Sequence, residues 1–149
     1  MKVLLQRVAA AGVSVDGKEV GRIGRGLVVF VGVADGDSRK DIDFLVQKTI
    51  NMRIFTDETD RFNLSLADIG GELLLVSQFT LLADTRKGRR PSFADAATAQ
   101  DAERLFKLFV DKAVASGVKV STGRFQQYMQ VEIHNDGPVS IMLDSRGRL

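Results

Sequence analysis

The chain has 149 residues, 44% of them hydrophobic and 27% charged, with a formal net charge of +2: one globular domain spanning 1–149, with enough apolar material for a core. The absence of cysteine excludes disulfides and thiolate metal centres, and a single histidine, His134, leaves little from which to build an imidazole metal site. The longest apolar stretch, Leu27 to Val33, is far too short to span a membrane, and Gln6 and Arg7 break the N-terminal apolar run too early for a secretory signal, so a cytoplasmic protein is expected.

In chain order, Lys2 to Val15 is rich in valine and leucine and is followed by Asp16-Gly17, a hairpin turn signal. Val20 to Ile23 and Leu27 to Val33 follow as strands, the second apolar enough to be buried on both faces. Ser38 to Asn51 has Ile42, Leu45, Val46, Thr49 and Ile50 at helical spacing, with Ser38 as its N-cap. Arg53 to Phe55 and Phe62 to Ser65 read as short strands around an acidic turn, and Glu72 to Leu81 as the clearest strand. Asp95 to Ser116 reads as a long helix with Leu105, Phe106, Phe109 and Ala113 on one stripe and Gly117 as its stop. Val118 to Ser121, Tyr128 to His134 and Val139 to Leu143 complete the strands, with Asn135-Asp136-Gly137 as a hairpin turn between the last two. The expected class is α/β: a compact barrel-like sheet, or stacked sheets, with two main helices on one side.

Two segments carry the chemistry. In Ser77-Gln78-Phe79-Thr80-Leu81, strand alternation puts Ser77 and Phe79 on one face and Gln78 and Thr80 on the other. Ser77 and Thr80 therefore share a pocket only if the strand bulges or ends between them. A serine nucleophile needs a base, and His134 is the only imidazole. Backbone N–H groups near Phe79 and Thr80 offer instead a cradle for a developing oxyanion. The second segment, Asn135-Asp136-Gly137-Pro138-Val139, is ordinary turn chemistry, and its X-Pro bond is trans by default. Between the two, Arg86, Lys87, Arg89 and Arg90 lie within five residues, either a solvated loop or a patch for phosphates.

Both segments, about sixty residues apart, with Gln6-Arg7-Val8 before them and Arg90-Pro91-Ser92-Phe93 between, resemble the paired signatures of the D-aminoacyl-tRNA deacylases from end to end. The resemblance implies an ester hydrolase without cofactor or metal, acting on aminoacyl-tRNA with the help of the terminal ribose 2′-hydroxyl. It assigns Ser77, Phe79 and Thr80 to the reacting centre and Gln78, Phe125 and Met129 to the pocket. It further implies a homodimer in which a cis Gly137-Pro138 enters the partner's active site and rejects L-aminoacyl esters, leaving glycyl esters as substrates. Arg86, Lys87, Arg89 and Arg90 then face tRNA. The sequence departs from the family at Gln126-Gln127, where Gly-Ala is usual, and at Ser140, where threonine is usual. Two other readings remain open at this point: a non-catalytic RNA-binding module, and a serine esterase using Ser77 and His134.

Overall fold

A computed structural model describes residues 1–147. Its strands are β1 (Lys2–Val15), β2 (Lys18–Ile23), β3 (Gly26–Gly32), β4 (Phe55–Thr56), β5 (Phe62–Leu64), β6 (Glu72–Ser77), β7 (Lys119–Thr122) and β8 (Gln130–Asp144), with helices α1 (Arg39–Asn51) and α2 (Ala99–Ala115). The main sheet runs β2-β1-β3-β6-β7, with β8 along the other edge of β1. β1 is long enough to pair with β3 over its first half and with β2 over its second, both antiparallel. β3, β6 and β7 are mutually parallel. The sheet curls until β2 meets β7, where the Ser121 hydroxyl donates to the Arg22 carbonyl at 3.3 Å. The result is a nearly closed barrel-like sheet with two helices.

Each face of the sheet has its own core. Leu27, Val29 and Val31 of β3 face Leu45, Phe106 and Phe109 of the two helices, whereas Val28 and Phe30 point into the barrel against Val8, Val13 and Leu74. This explains why β3 is apolar throughout and buried at every position. Ser38 opens α1 as expected, its N–H and hydroxyl both donating to the Asp41 carboxylate at 2.7 and 3.0 Å. None of the described helices is long and apolar enough to cross a membrane.

Three expectations need correction. The strand begun at Glu72 ends at Ser77, and Phe79–Leu82 is a short 3-10 helix that buries Leu82. α2 begins at Ala99, not Asp95, with the Thr98 hydroxyl accepting from the Asp101 N–H at 3.2 Å. The preceding residues are tied to the end of β3: Ala97 N–H donates to Val33 O at 3.0 Å, and Asp95 O accepts from Asp35 N–H at 2.9 Å. The third concerns Asn135-Asp136-Gly137, which is not a hairpin turn. β8 runs antiparallel to β1 on both sides of it, with Val8 opposite Asn135 and Gln6 opposite Ser140. Two steps along β1 thus face five along β8, and the three extra residues are extruded as a loop from one continuous strand.

Candidate active site

A cleft of about 650 Å³ opens where the C-terminal ends of the parallel strands β3 and β6 meet the start of α2 and the loop after β7. Crevices outside the carboxyl ends of parallel strands are a recurrent place for ligands. Ser77, Gln78, Phe79, Phe125 and Met129 all line it. Small side chains, Ala96, Ala97, Ala99 and Ala102, form the wall nearest α2. Phe125 is seated against Phe106 with ring centroids 6.3 Å apart, and Met129 Sδ accepts from the Arg124 N–H at 3.3 Å. The resemblance thus picked out cleft residues that composition could not separate from plain core.

The end of β6 at Ser77 decides the local geometry. Gln78 N–H still pairs with Val31 O at 2.8 Å, and the chain then turns into the 3-10 helix. Phe79 and Thr80 occupy its first turn, and among the described residues neither N–H has a hydrogen-bond partner. Thr80 does not line the cleft with its side chain; its hydroxyl accepts from Gln78 Nε2. Ser77 and Thr80 are therefore not a paired-hydroxyl site.

The serine-esterase pairing is not assembled within the chain either. Val131 lines the cleft and packs with Ile133 on the barrel core, while Glu132 and His134 lie exposed on the opposite face of β8. There His134 Nε2 and Glu132 Oε1 are 2.7 Å apart. That contact and Arg22 hold the Glu132 carboxyl below its usual range. Among the described residues, the cleft walls carry no carboxylate, imidazole, amine or guanidinium.

Gly137 and Pro138 are exposed, joined by a cis peptide, and absent from the lining of the cleft. The extruded loop is tied down at its base. Asn135 Oδ1 accepts from Val139 N–H at 2.7 Å, and Asn135 Nδ2 donates to Ser140 Oγ at 3.2 Å. Gln6 Nε2 also donates to that hydroxyl, at 3.0 Å, so serine supplies what the usual threonine would. Arg7 braces the loop from below: only 7% exposed, it donates from Nε to Asp136 O at 2.9 Å and from Nη1 to Ile54 O at 2.8 Å. Its guanidinium also lies 5.4 Å from the centroid of the Phe62 ring. The signal for this brace was an arginine within a strand of mostly apolar residues, since an arginine is rarely buried without partners.

The basic loop stands beside the cleft. Asp84 and Ser92 exchange backbone hydrogen bonds of 2.8 and 2.9 Å at its foot, and Phe93, just beyond, meets Phe79 edge-on at 4.9 Å. Its four cations are not equivalent. Arg86 grips Asp84 through Nε at 2.9 Å and Nη2 at 2.7 Å, whereas Lys87, Arg89 and Arg90 make no ion pair among the described residues. The Arg86 side chain and N–H hold the Asp84 carboxyl down at about 2. Because this pKa is depressed on folding, the stability it contributes is complete above the ordinary carboxylate range and is lost as pH falls through about 2. The Asp84 carboxyl carbon resonance should therefore titrate near pH 2, and Arg86→Ala, which removes the side chain and keeps the backbone N–H, should move it up toward the ordinary range; an ordinary midpoint in the unmutated chain would show that the pair does not persist in solution.

Comparison with known proteins adds to this geometry. The family model described as D-Tyr-tRNA(Tyr) deacylase matches residues 4–144. A D-aminoacyl-tRNA deacylase of Dehalococcoides mccartyi is 57% identical over 149 residues, covering 100% of this chain and 97% of the relative. One from Caldicellulosiruptor bescii is 55% identical over 146 residues, covering 98% of each. The solved structure of the c-Myc DNA Unwinding Element Binding Protein is 38% identical, covers 97% of this chain and 98% of its own, and superposes with a TM-score of 0.91. With its signature segments on one cleft and one extruded loop, and its length matched nearly throughout, the chain belongs to the D-Tyr-tRNA(Tyr) deacylase family of hydrolases.

Proposed function

We propose that the chain, acting as one catalytic domain over residues 1–149 in a cytoplasmic homodimer, hydrolyses the ester joining a D-amino acid to the 3′-terminal ribose of tRNA. Water adds to the ester carbonyl carbon, the bond to the ribose oxygen breaks, and that oxygen leaves with a proton. The products are the free D-amino acid and tRNA. The observation that carries this reading is a cleft with unpartnered backbone donors and no carboxylate, imidazole or amine on its walls among the described residues. The N–H groups of Phe79 and Thr80 receive the oxyanion, a role in which one donor is worth about 2.7–4 kcal/mol in known enzymes. Ser77 and Gln78 shape the floor, and the ribose 2′-hydroxyl supplies the proton relay.

Gly137 and Pro138 act in the partner subunit's cleft, a reading supported by their exposure and by their absence from their own. Their carbonyls stand close to the substrate α-carbon, where an L side chain collides and a D side chain points away. Rejection by obstruction leaves the D side chain uninspected, so many amino acids are accepted. Glycine has no side chain to collide, so glycyl-tRNA is also cleaved. Phe125 and Met129 wall the pocket, and Lys87, Arg89 and Arg90 meet acceptor-end phosphates, with Arg86 contributing less because Asp84 already neutralises it.

Incubation with D-tyrosyl-, L-tyrosyl- and glycyl-tRNA tests this. The D and glycyl esters should be lost and the L ester kept. Equal loss of D and L would remove the selector, while tRNA binding without hydrolysis would leave an RNA-binding module.

A further inference from the structure

Tyr128 is 95% exposed on the rim of the cleft, the most exposed of the large hydrophobic side chains in the described chain. A singly exposed aromatic needs no explanation by itself. This one is distinguished by how firmly its backbone is held while its ring touches nothing. On one side Gln127 N–H donates to Arg124 O at 3.2 Å, closing a turn that contains Gln126 at a φ of +59°. On the other, Met129 is fixed by the Arg124 N–H and packs so tightly on Gly123 that a Cβ there would lie 2.6 Å from its sulfur. The loop therefore places a free ring at a fixed point.

The same cleft is lined by Phe79, 59% exposed and seated on Phe93 at the foot of the basic loop. The cleft thus carries two exposed aromatic rings, and the loop bearing Lys87, Arg89 and Arg90, which make no ion pair among the described residues, joins it beside one of them. Free aromatic faces beside a cationic track suit an unpaired nucleic-acid strand, whose bases stack without regard to sequence while phosphates follow the charge.

We infer that Tyr128 is a nucleotide-binding residue that stacks its ring on an unpaired nucleobase at the acceptor end of the tRNA substrate. The inference rests on the tRNA-deacylase reading for the identity of the chain that enters the cleft. Tyr128 takes no part in bond breaking and holds the terminal nucleotides so that the ester reaches the Phe79 and Thr80 N–H groups.

The chain contains one tyrosine and no tryptophan, so its tyrosine emission reports on Tyr128 alone. Titration of the full chain with a dye-labelled single-stranded oligoribonucleotide ending in CCA should quench that emission in step with the rise in dye anisotropy. Tyr128→Ala should weaken binding roughly 5- to 150-fold, the range for loss of one stacked base, and should raise KM on D-tyrosyl-tRNA comparably with little change in kcat. Tyr128→Phe keeps the ring and should bind within about twofold of the unmutated chain. A D-tyrosyl ester of adenosine alone separates the two bases within reach: a parallel rise in KM places the ring on the terminal adenine, an unchanged KM on the base before it.

Binding by anisotropy with unaltered tyrosine emission would overturn the inference. So would equal binding by Tyr128→Ala and the unmutated chain, or no binding of the oligoribonucleotide at all. Deacylation without quenching would leave the enzyme and remove the stacking; quenching without deacylation would do the reverse.

Discussion

Gly137→Ala is expected to cut hydrolysis of D-tyrosyl-tRNA about 100-fold, the scale of loss when a change remote from the chemistry misplaces the bound substrate by about an ångström. Gly137 has a φ of +139°, a region an L side chain rarely enters. An added Cβ would lie 2.9 Å from Val139 Cγ2, 3.1 Å from Val139 N and 3.2 Å from Arg7 Nη2. None of these neighbours moves freely: Val139 N–H is held by Asn135, and Arg7 is held by Asp136 O and Ile54 O. The loop tip must therefore shift. Because it is exposed and outside both cores, the melting temperature should hardly change. Unimpaired turnover in single-turnover deacylation by Gly137→Ala would show that the loop does not enter a working site.

A second large effect is expected at the opposite end of the sheet. A Cβ on Gly26 would lie 1.8 Å from the Glu72 carbonyl oxygen and within 2.8 Å of Glu72 N, in the backbone of the strand with which β3 pairs. Gly26→Ala can be accommodated only by parting β3 from β6, and a loss of about 3 kcal/mol, the upper end for overpacking, is expected in the urea unfolding free energy. Gly24→Ala is the control, since its Cβ would meet nothing closer than 4.0 Å. The register of this pair runs from Gly26 opposite Glu72 to Val31 opposite Ser77, so the same change should also disturb the cleft. An unchanged urea midpoint for Gly26→Ala would mean that the two strands have slack that the geometry denies.

The sequence was most legible where local patterns and tertiary packing agree. Ile42, Leu45, Val46 and Ile50 mark the buried face of α1 from spacing alone, and Ser38 marks its start. It was least legible where a contact distant in sequence overrides a local preference. Asp95 to Thr98 continues the polar and alanine-rich pattern of α2, yet its hydrogen bonds to Val33 and Asp35 hold it outside the helix. Phe79 to Leu82 alternates no worse than a strand, and only its place past the end of β3 turns it into a 3-10 helix. Asn135-Asp136-Gly137 carries ordinary turn chemistry, and nothing local distinguishes a hairpin from a loop pushed out of a strand that then resumes. That distinction lies in the pairing of both flanks with β1, more than 120 residues earlier in the chain. At the cleft, the place of Phe125 and Met129 on its wall was reachable only through family resemblance, while the exposure of Tyr128 had no signal in the sequence.

Because both feet of the Asn135–Ser140 excursion stand on one strand, the loop is a fixed promontory and not a flap at the end of a free hairpin. A flap would have to open for each substrate and shut before chemistry, adding a conformational step to every turnover and a delay before a wrong ester could be expelled. A fixed obstacle removes that step. If the loop serves as the selector proposed above, an L-aminoacyl end would meet the obstruction on first encounter and diffuse away, so abundant correctly charged tRNA would occupy the enzyme only briefly, and discrimination would be expressed in the rate of productive entry instead of in editing after commitment.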